Sequence, residues 1–127
     1  MGTQGYNHGD IGWTELNAQD PGGAMTFFAQ LLGLDNKGEM MPGYHILGRG
    51  EEMLAGAKGL EGGAAHPQWI PYFTVSNLDE TLAKATELGG SLVGETMPLP
   101  DGGRYALVKD AQGVLAGVAQ YAGNAAC

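Results

Sequence analysis

The sequence is poor in cysteine, in basic residues and in long apolar runs. Its one cysteine, Cys127, has no partner for an internal disulfide and cannot build a multi-cysteine zinc site. Six Lys and Arg stand against fourteen Asp and Glu, a net charge of −8. Such a chain repels phosphate backbones and anionic bilayers, so neither nucleic acid nor a membrane is an expected partner. No apolar stretch approaches the ~20 residues that cross a bilayer. The opening Met1-Gly2-Thr3-Gln4-Gly5 has no basic region followed by an apolar one. No secretory signal is therefore expected, and a cytoplasmic setting fits.

What the sequence has in excess is glycine, 23 of 127 residues, without the every-third spacing of collagen. The glycines fall between apolar segments, which predicts tight turns and close backbone approaches. A hydrophobic fraction of 43% with only 16% charged residues describes a folded globular chain. Its length fits a single domain, 1–127.

The two halves of the chain repeat. Ile11 to Asp20 aligns with Gln68 to Asn77 at an offset of 57, and Leu31 and Gly33 align with Leu88 and Gly90 at the same offset. Gly43 aligns with Gly103 at offset 60, and Leu54-Ala55-Gly56 with Leu115-Ala116-Gly117 at offset 61. A drift of four residues is what small loop insertions produce, so the pattern reads as a duplication. Module 1 covers about 11–58, a glycine-rich joining loop 59–68, and module 2 about 69–121.

Each half predicts the same elements. Residues 11–18 and 70–75 are strand-like. Asp20 caps a first helix with Pro21 in its first turn, and Asn77 caps a second with Glu80 three residues on. Ala24, Phe28, Leu31 and Leu32 are expected on one buried face of the first helix, and Leu82, Ala85 and Leu88 on that of the second. Gly33 and Gly89-Gly90 end the helices. Strands are expected at 36–41, 44–48 and 52–57, then at 91–96, 104–109 and 114–120. The pair Met40-Met41 is read as core.

A tandem βαβββ pair resembles the vicinal oxygen chelate superfamily, which includes glyoxalase I, fosfomycin- and bleomycin-resistance proteins and extradiol dioxygenases. The resemblance covers about 11–121. It rests on Trp-x-Glu-Leu-x-x-x-Asp from Trp13 to Asp20 and on Trp-x-x-Tyr-Phe-x-Val from Trp69 to Val75. Leu88-Gly89-Gly90, Gly103-Arg104 and Asp110-x-Gln112-Gly113 complete it. The implied fold is α+β, with the two βαβββ modules forming a curved mixed-sheet cup around the ligand. Relatives commonly pair, so a homodimer is implied as well.

Active members of that superfamily hold a divalent metal in the cup. The family pattern puts the ligands at the positions of Trp13, Ile70, Gly56 and Gly117. An indole, an alkyl group and two hydrogens offer no lone pair, so the resemblance implies a subgroup without the metal site and without a cofactor. His8 and His66 read as solvated histidines. By the resemblance Tyr105 faces the cup, and offset 60 carries that orientation to His45. Alternation along the strands then gives a ligand-binding wall of Trp13, Glu15, His45, Leu54, Ile70, Tyr72, Tyr105 and Leu115. Trp69 reads as packing and Arg104 as an ion-pair residue.

Such a wall is apolar and aromatic with few polar groups, as small-molecule sites are. The leading function is metal-independent binding or sequestration of a small, partly aromatic or apolar molecule. An enzyme (lyase, isomerase or hydroxylase-like) with Glu15 or His45 as general base is the first alternative. An interaction module with an empty cup is the second.

Overall fold

A computed structural model describes residues 6–60 and 66–122. Cys127, the opening Met1 to Gly5 and residues 61–65 of the joining loop lie outside the described residues. The elements are β1 (Ile11–Asn17), α1 (Pro21–Leu32), β2 (Asp35–Met41), β3 (Tyr44–Arg49) and β4 (Glu52–Lys58). The same order recurs in β5 (Gln68–Thr74), α2 (Leu78–Glu87), β6 (Ser91–Pro98), β7 (Arg104–Lys109) and β8 (Leu115–Gln120). The fold class is α+β, and each half is a βαβββ module. The chain divides into two compact units, residues 13–70 and residues 71–127 with 1–12.

In the first module the strands lie in the order β2-β3-β4-β1. β1 runs parallel to β4, with Glu15 opposite Gly56, and the other pairings are antiparallel. In the second module the order is β6-β7-β8-β5, with β5 parallel to β8 and Tyr72 opposite Gly117. Tyr72 follows Glu15 by 57 residues and Gly117 follows Gly56 by 61, the two offsets of the sequence repeat.

The helix ends form as their sequences dictate. The Asp20 carboxylate accepts from Gly23 N at 3.1 Å, and Gly33 ends α1 in the left-handed conformation at φ 69°. That backbone is nearly free of cost only for glycine. The Asn77 side chain accepts from Glu80 N at 2.9 Å. Another first-turn donor of α2, Leu78 N, is satisfied by Gln120 Oε1 at 2.7 Å, which ties the helix to β8.

Each helix covers one face of its own strands. Leu16, Met25, Ala29, Leu47, Ala55 and Ala57 form the first core, with Phe28 and Ala24 packed on it. Val75, Leu78, Ala106 and Val118 form the second, with Phe73, Leu82 and Val108 against it. The small alanines on the strands let each helix lie close to the sheet. One expectation is corrected here. The buried stripe of α1 is centred on Met25 and Ala29, and Leu31 and Leu32 point into solvent. For Leu31 the reason is rotational: residues 25 and 29 lie four apart on one face, and 31 lies about 200° beyond 29 at ~100° per residue, whereas Leu32 is the last residue of the helix. Leu88 and the Met40-Met41 pair are likewise exposed.

His8 is exposed but held. Its Nδ1 accepts from Ser76 N at 3.0 Å, while Gly9 N donates to Thr74 O and Thr74 N to Asp10 O, both at 2.7 Å. Backbone pairing fixes this segment although nothing in its composition announces a strand. Among the described residues no helix is long and apolar enough to cross a membrane.

Candidate functional site

Each module has one strand face covered by its helix and one facing away from it. In the first module Leu16, Leu47, Ala55 and Ala57 point to the helix. Alternation therefore puts Trp13, Glu15 and Asn17 of β1, Tyr44 and Ile46 of β3, and Leu54, Gly56 and Lys58 of β4 on the other face. Trp13 Nε1 donates to Tyr44 Oη at 2.7 Å. The two residues stand on strands either side of β4 and meet over Gly56, where a Cβ would overlap the Tyr44 ring.

Beside this aromatic pair lies a polar group of side chains. Glu15 is buried, and its Oε1 accepts from Asn17 Nδ2 at 3.2 Å. Lys58 Nζ stands 3.9 Å from the same oxygen, at the outer limit of an ion pair. Asn17 is wholly buried, and its Oδ1 has no hydrogen-bond partner. Turning the amide round would set that oxygen against the Glu15 carboxylate, so the observed orientation is the favourable one. A buried acceptor left in this state costs roughly 1–3 kcal/mol unless a donor reaches it.

In the second module Phe73, Val75, Ala106 and Val118 point to the helix. Tyr72, Tyr105, Leu115 and Gly117 then share the opposite face. The Tyr72 ring occupies the space a Cβ on Gly117 would need. Tyr105 meets Tyr72 edge-on, with ring centroids 5.7 Å apart at 73°. Thr74 is wholly buried further along β5.

Of the wall expected from sequence, the helix-free face of the first module thus holds Trp13, Glu15 and Leu54, and that of the second holds Tyr72, Tyr105 and Leu115. Ile70 is buried at the end of its unit. His45 is a correction. It points to the helix, with its Cε1 only 3.3 Å from where a Cβ on Gly22 would stand. Register explains the error. Ile46 pairs with Gly56 and Leu107 with Gly117, so the third strands correspond at offset 61 and Tyr105 matches Tyr44. The offset of 60 at Gly43 and Gly103 belongs to the turns, and a slip of one residue reverses the face of a strand. Tyr44, Asn17 and Lys58 were missed for the same reason or for want of a motif. Extending the Leu-Ala-Gly match backward would have found Tyr44.

Three further residues take ordinary structural places. Trp69 packs edge-on against Phe28 at 5.2 Å. Arg104 pairs with Asp79 at 3.3 Å on the surface. His66 is exposed.

The four positions where the resemblance expects metal ligands carry Trp13, Ile70, Gly56 and Gly117. The Tyr44 ring fills the space above Gly56 and the Tyr72 ring that above Gly117. Among the described residues no three His, Cys, Asp or Glu side chains stand together. An open hollow of about 460 Å³ lies elsewhere, between His8 and the Thr81, Lys84 and Leu88 side of α2. It is shallow and exposed, with the Ser76–His8 contact at its edge.

Residues 10–118 match the Glyoxalase/Bleomycin resistance protein/Dioxygenase superfamily. The anthracycline biosynthesis protein DauV of Streptomyces sp. (strain C5) is 37% identical over 106 residues, which is 79% of this chain and 38% of that protein. A Mycobacterium tuberculosis protein named "Putative glyoxylase CFP32" is 31% identical over 110 residues, 84% of this chain and 42% of that one. The chain spans about two fifths of the length of these curated relatives. A superfamily member from Vibrio splendidus 12B01 has the same fold at TM-score 0.58 and 19% identity, covering 84% of this chain and 95% of its own. Sequence repeat, module topology and these similarities agree: the chain belongs to the glyoxalase/bleomycin resistance protein/dioxygenase superfamily.

Proposed function

We propose that the protein binds a small, partly aromatic or apolar molecule without a metal ion, on the helix-free face of its first module. One observation carries the reading: Trp13 and Tyr44 form a hydrogen-bonded aromatic pair beside the buried Glu15 and Asn17. An aromatic pair supplies stacking area at little conformational cost, and the polar group sets orientation. The Tyr72–Tyr105 pair stands on the corresponding face of the second module, with Tyr72 itself buried. The name of the Streptomyces relative, an anthracycline biosynthesis protein, supports a planar polycyclic ligand.

The test is calorimetric titration of EDTA-dialysed protein with an anthracycline. Saturable binding near one ligand per chain, unchanged by added zinc, manganese or EDTA, is expected. Binding that appears only after a divalent metal is restored defeats the metal-independent reading.

A second reading is favoured by the burial of Glu15, which is 6% exposed. A carboxylate held out of water by Asn17 and Lys58 is placed as a general base of a lyase or isomerase is. Turnover of a bound ligand that Glu15→Gln abolishes, with binding retained, would select this reading over sequestration.

A further inference from the structure

The buried polar group of the first module has one unmet member. Asn17 is wholly buried, and among the described residues nothing donates to its Oδ1. Its Nδ2 is committed to Glu15 Oε1 at 3.2 Å, so the amide cannot turn to mend this without setting oxygen against carboxylate. The repeat supplies a control. Offset 57 puts Thr74 at this place in the second module, equally buried, and its hydroxyl is not left in that state. A dehydrated acceptor costs more than a made bond returns, so a donor arriving from outside removes a deficit built into the first module alone.

We propose that Asn17 Oδ1 receives a hydroxyl of the ligand, so that this face selects hydroxylated aromatic molecules over plain ones. The inference rests on the binding reading above and narrows it. Reach agrees. The Trp13–Tyr44 contact lies over Gly56, which pairs with Glu15, and Asn17 stands two residues further, about 7 Å along the strand. A two-ring molecule stacked at the aromatic pair spans that distance with a ring substituent.

Charge selects a hydroxyl over an ammonium. Lys58 Nζ stands 3.9 Å from Glu15 Oε1, so the carboxylate has its cation, and a second would meet the first. Lys58 also starts opposite Asn17 in the register of β1 and β4, so its stem runs past Asn17 on the way to Glu15. With its side chain 26% exposed, this stem is the flexible part of the cover that swings to admit a ligand group. A hydroxyl entering there donates to Asn17 Oδ1 and accepts from the Lys58 ammonium, a two-way role that neither an ammonium nor an ether fills.

2-Naphthol and 2-methylnaphthalene share a shape and differ in the donor, and the methyl compound is the more apolar. Calorimetric titration of the EDTA-dialysed full chain at neutral pH should show 2-naphthol binding roughly tenfold or more tightly, the scale of satisfying one buried acceptor. Asn17→Leu, which keeps the volume and removes the acceptor, should erase that preference. A second readout needs no variant: in the wild-type NMR spectrum the side-chain carbonyl carbon of Asn17 should move downfield with 2-naphthol and not with 2-methylnaphthalene. Equal affinities in the wild type overturn the assignment and leave metal-free aromatic binding standing. A preference that survives in folded Asn17→Leu, or a carbonyl unmoved by bound 2-naphthol, does the same. If neither compound binds, the assignment and the reading beneath it are both overturned.

Discussion

Trp13 Nε1 lies 2.7 Å from Tyr44 Oη, and the hydrogen bond passes over the bare backbone of Gly56. Three strands meet in this contact: β1 gives the indole, β3 the phenol, and β4 the glycine that lets them approach. The glycine is required for space, since its φ is not in the left-handed region.

Gly56→Ala should therefore displace Tyr44 and break the bond to Trp13. The added methyl meets a rigid ring, and overpacking of this kind costs about 1–3 kcal/mol. Gly103→Ala should cost more, because its Cβ would meet the backbone oxygen of Gln120, which cannot swing aside. Urea unfolding of both variants checks the order. In a Trp69→Phe background Trp13 is the sole tryptophan, so Gly56→Ala should also shift the emission. A Gly56→Ala protein with wild-type stability and emission would refute this account of the face.

Ligand binding supplies the second prediction. If the face around Trp13 takes a planar molecule, that molecule should quench the emission of the Trp69→Phe variant in a saturable way. Trp13→Ala should weaken binding by about 1–3 kcal/mol, the range for losing a buried aromatic contact. Titration of an anthracycline against both proteins measures it. Equal affinity in a stably folded Trp13→Ala variant removes Trp13 from the binding surface.

Much of the fold was legible because local chemistry and the repeat agree. Asp20-Pro21, Asn77, Gly33 and the alternating apolar positions each specify an element end or a face without help from distant residues. The motif glycines also have local reasons: a Cβ at Gly90 would meet Lys109 O, and one at Gly103 would meet Gln120 O. The site was legible only in part. Trp13 and Glu15 follow from strand alternation, but the face of β3 depends on where the second module gains one residue, which is between Gly103 and Tyr105. Turn lengths are set by tertiary fit, so the repeat alone placed His45 where Tyr44 stands. The exposed side of α1 was hidden for a related reason. Its residues are apolar almost all round, and periodicity cannot rank apolar faces when no polar face marks the outside.

The Asp110 motif behaves as a turn clamp, and its pH response follows. Asp110 Oδ1 accepts from Val114 N at 2.9 Å and from Gln112 N at 2.8 Å, while Gly113 sits at φ 92°. These backbone donors, Val114 first and then Gln112, hold the carboxyl below its ordinary 3.8. A depressed carboxyl stabilises the fold above its ordinary value and loses that contribution as pH falls through the folded value. Asp110→Asn should lower stability at neutral pH and flatten its decline in acid. Urea midpoints from pH 2 to 6 test this, and parallel curves for the two proteins would count against the clamp.

Tyr121 gives the opposite sign at the alkaline end. Burial raises its phenol to about 12, and the nearby Tyr6 and Asp101 add to the effect. The Tyr6 ring stands edge-on at a centroid distance of 5.1 Å, and Asp101 Oδ2 accepts from the adjacent Ala122 N at 3.1 Å. The folded state thus keeps a proton that the unfolded chain releases near 10.0. A raised folded value means the contribution is complete below about 10 and is lost as pH climbs through about 12. Stability should fall across that window in the wild type and fall less in Tyr121→Phe. Tyrosinate absorbance reads the same group directly: the wild type should show a late ionisation near 12 that Tyr121→Phe lacks, and unfolding in urea should abolish it. Titration curves that differ between the two proteins only by an ordinary early step would place Tyr121 in water and void the prediction.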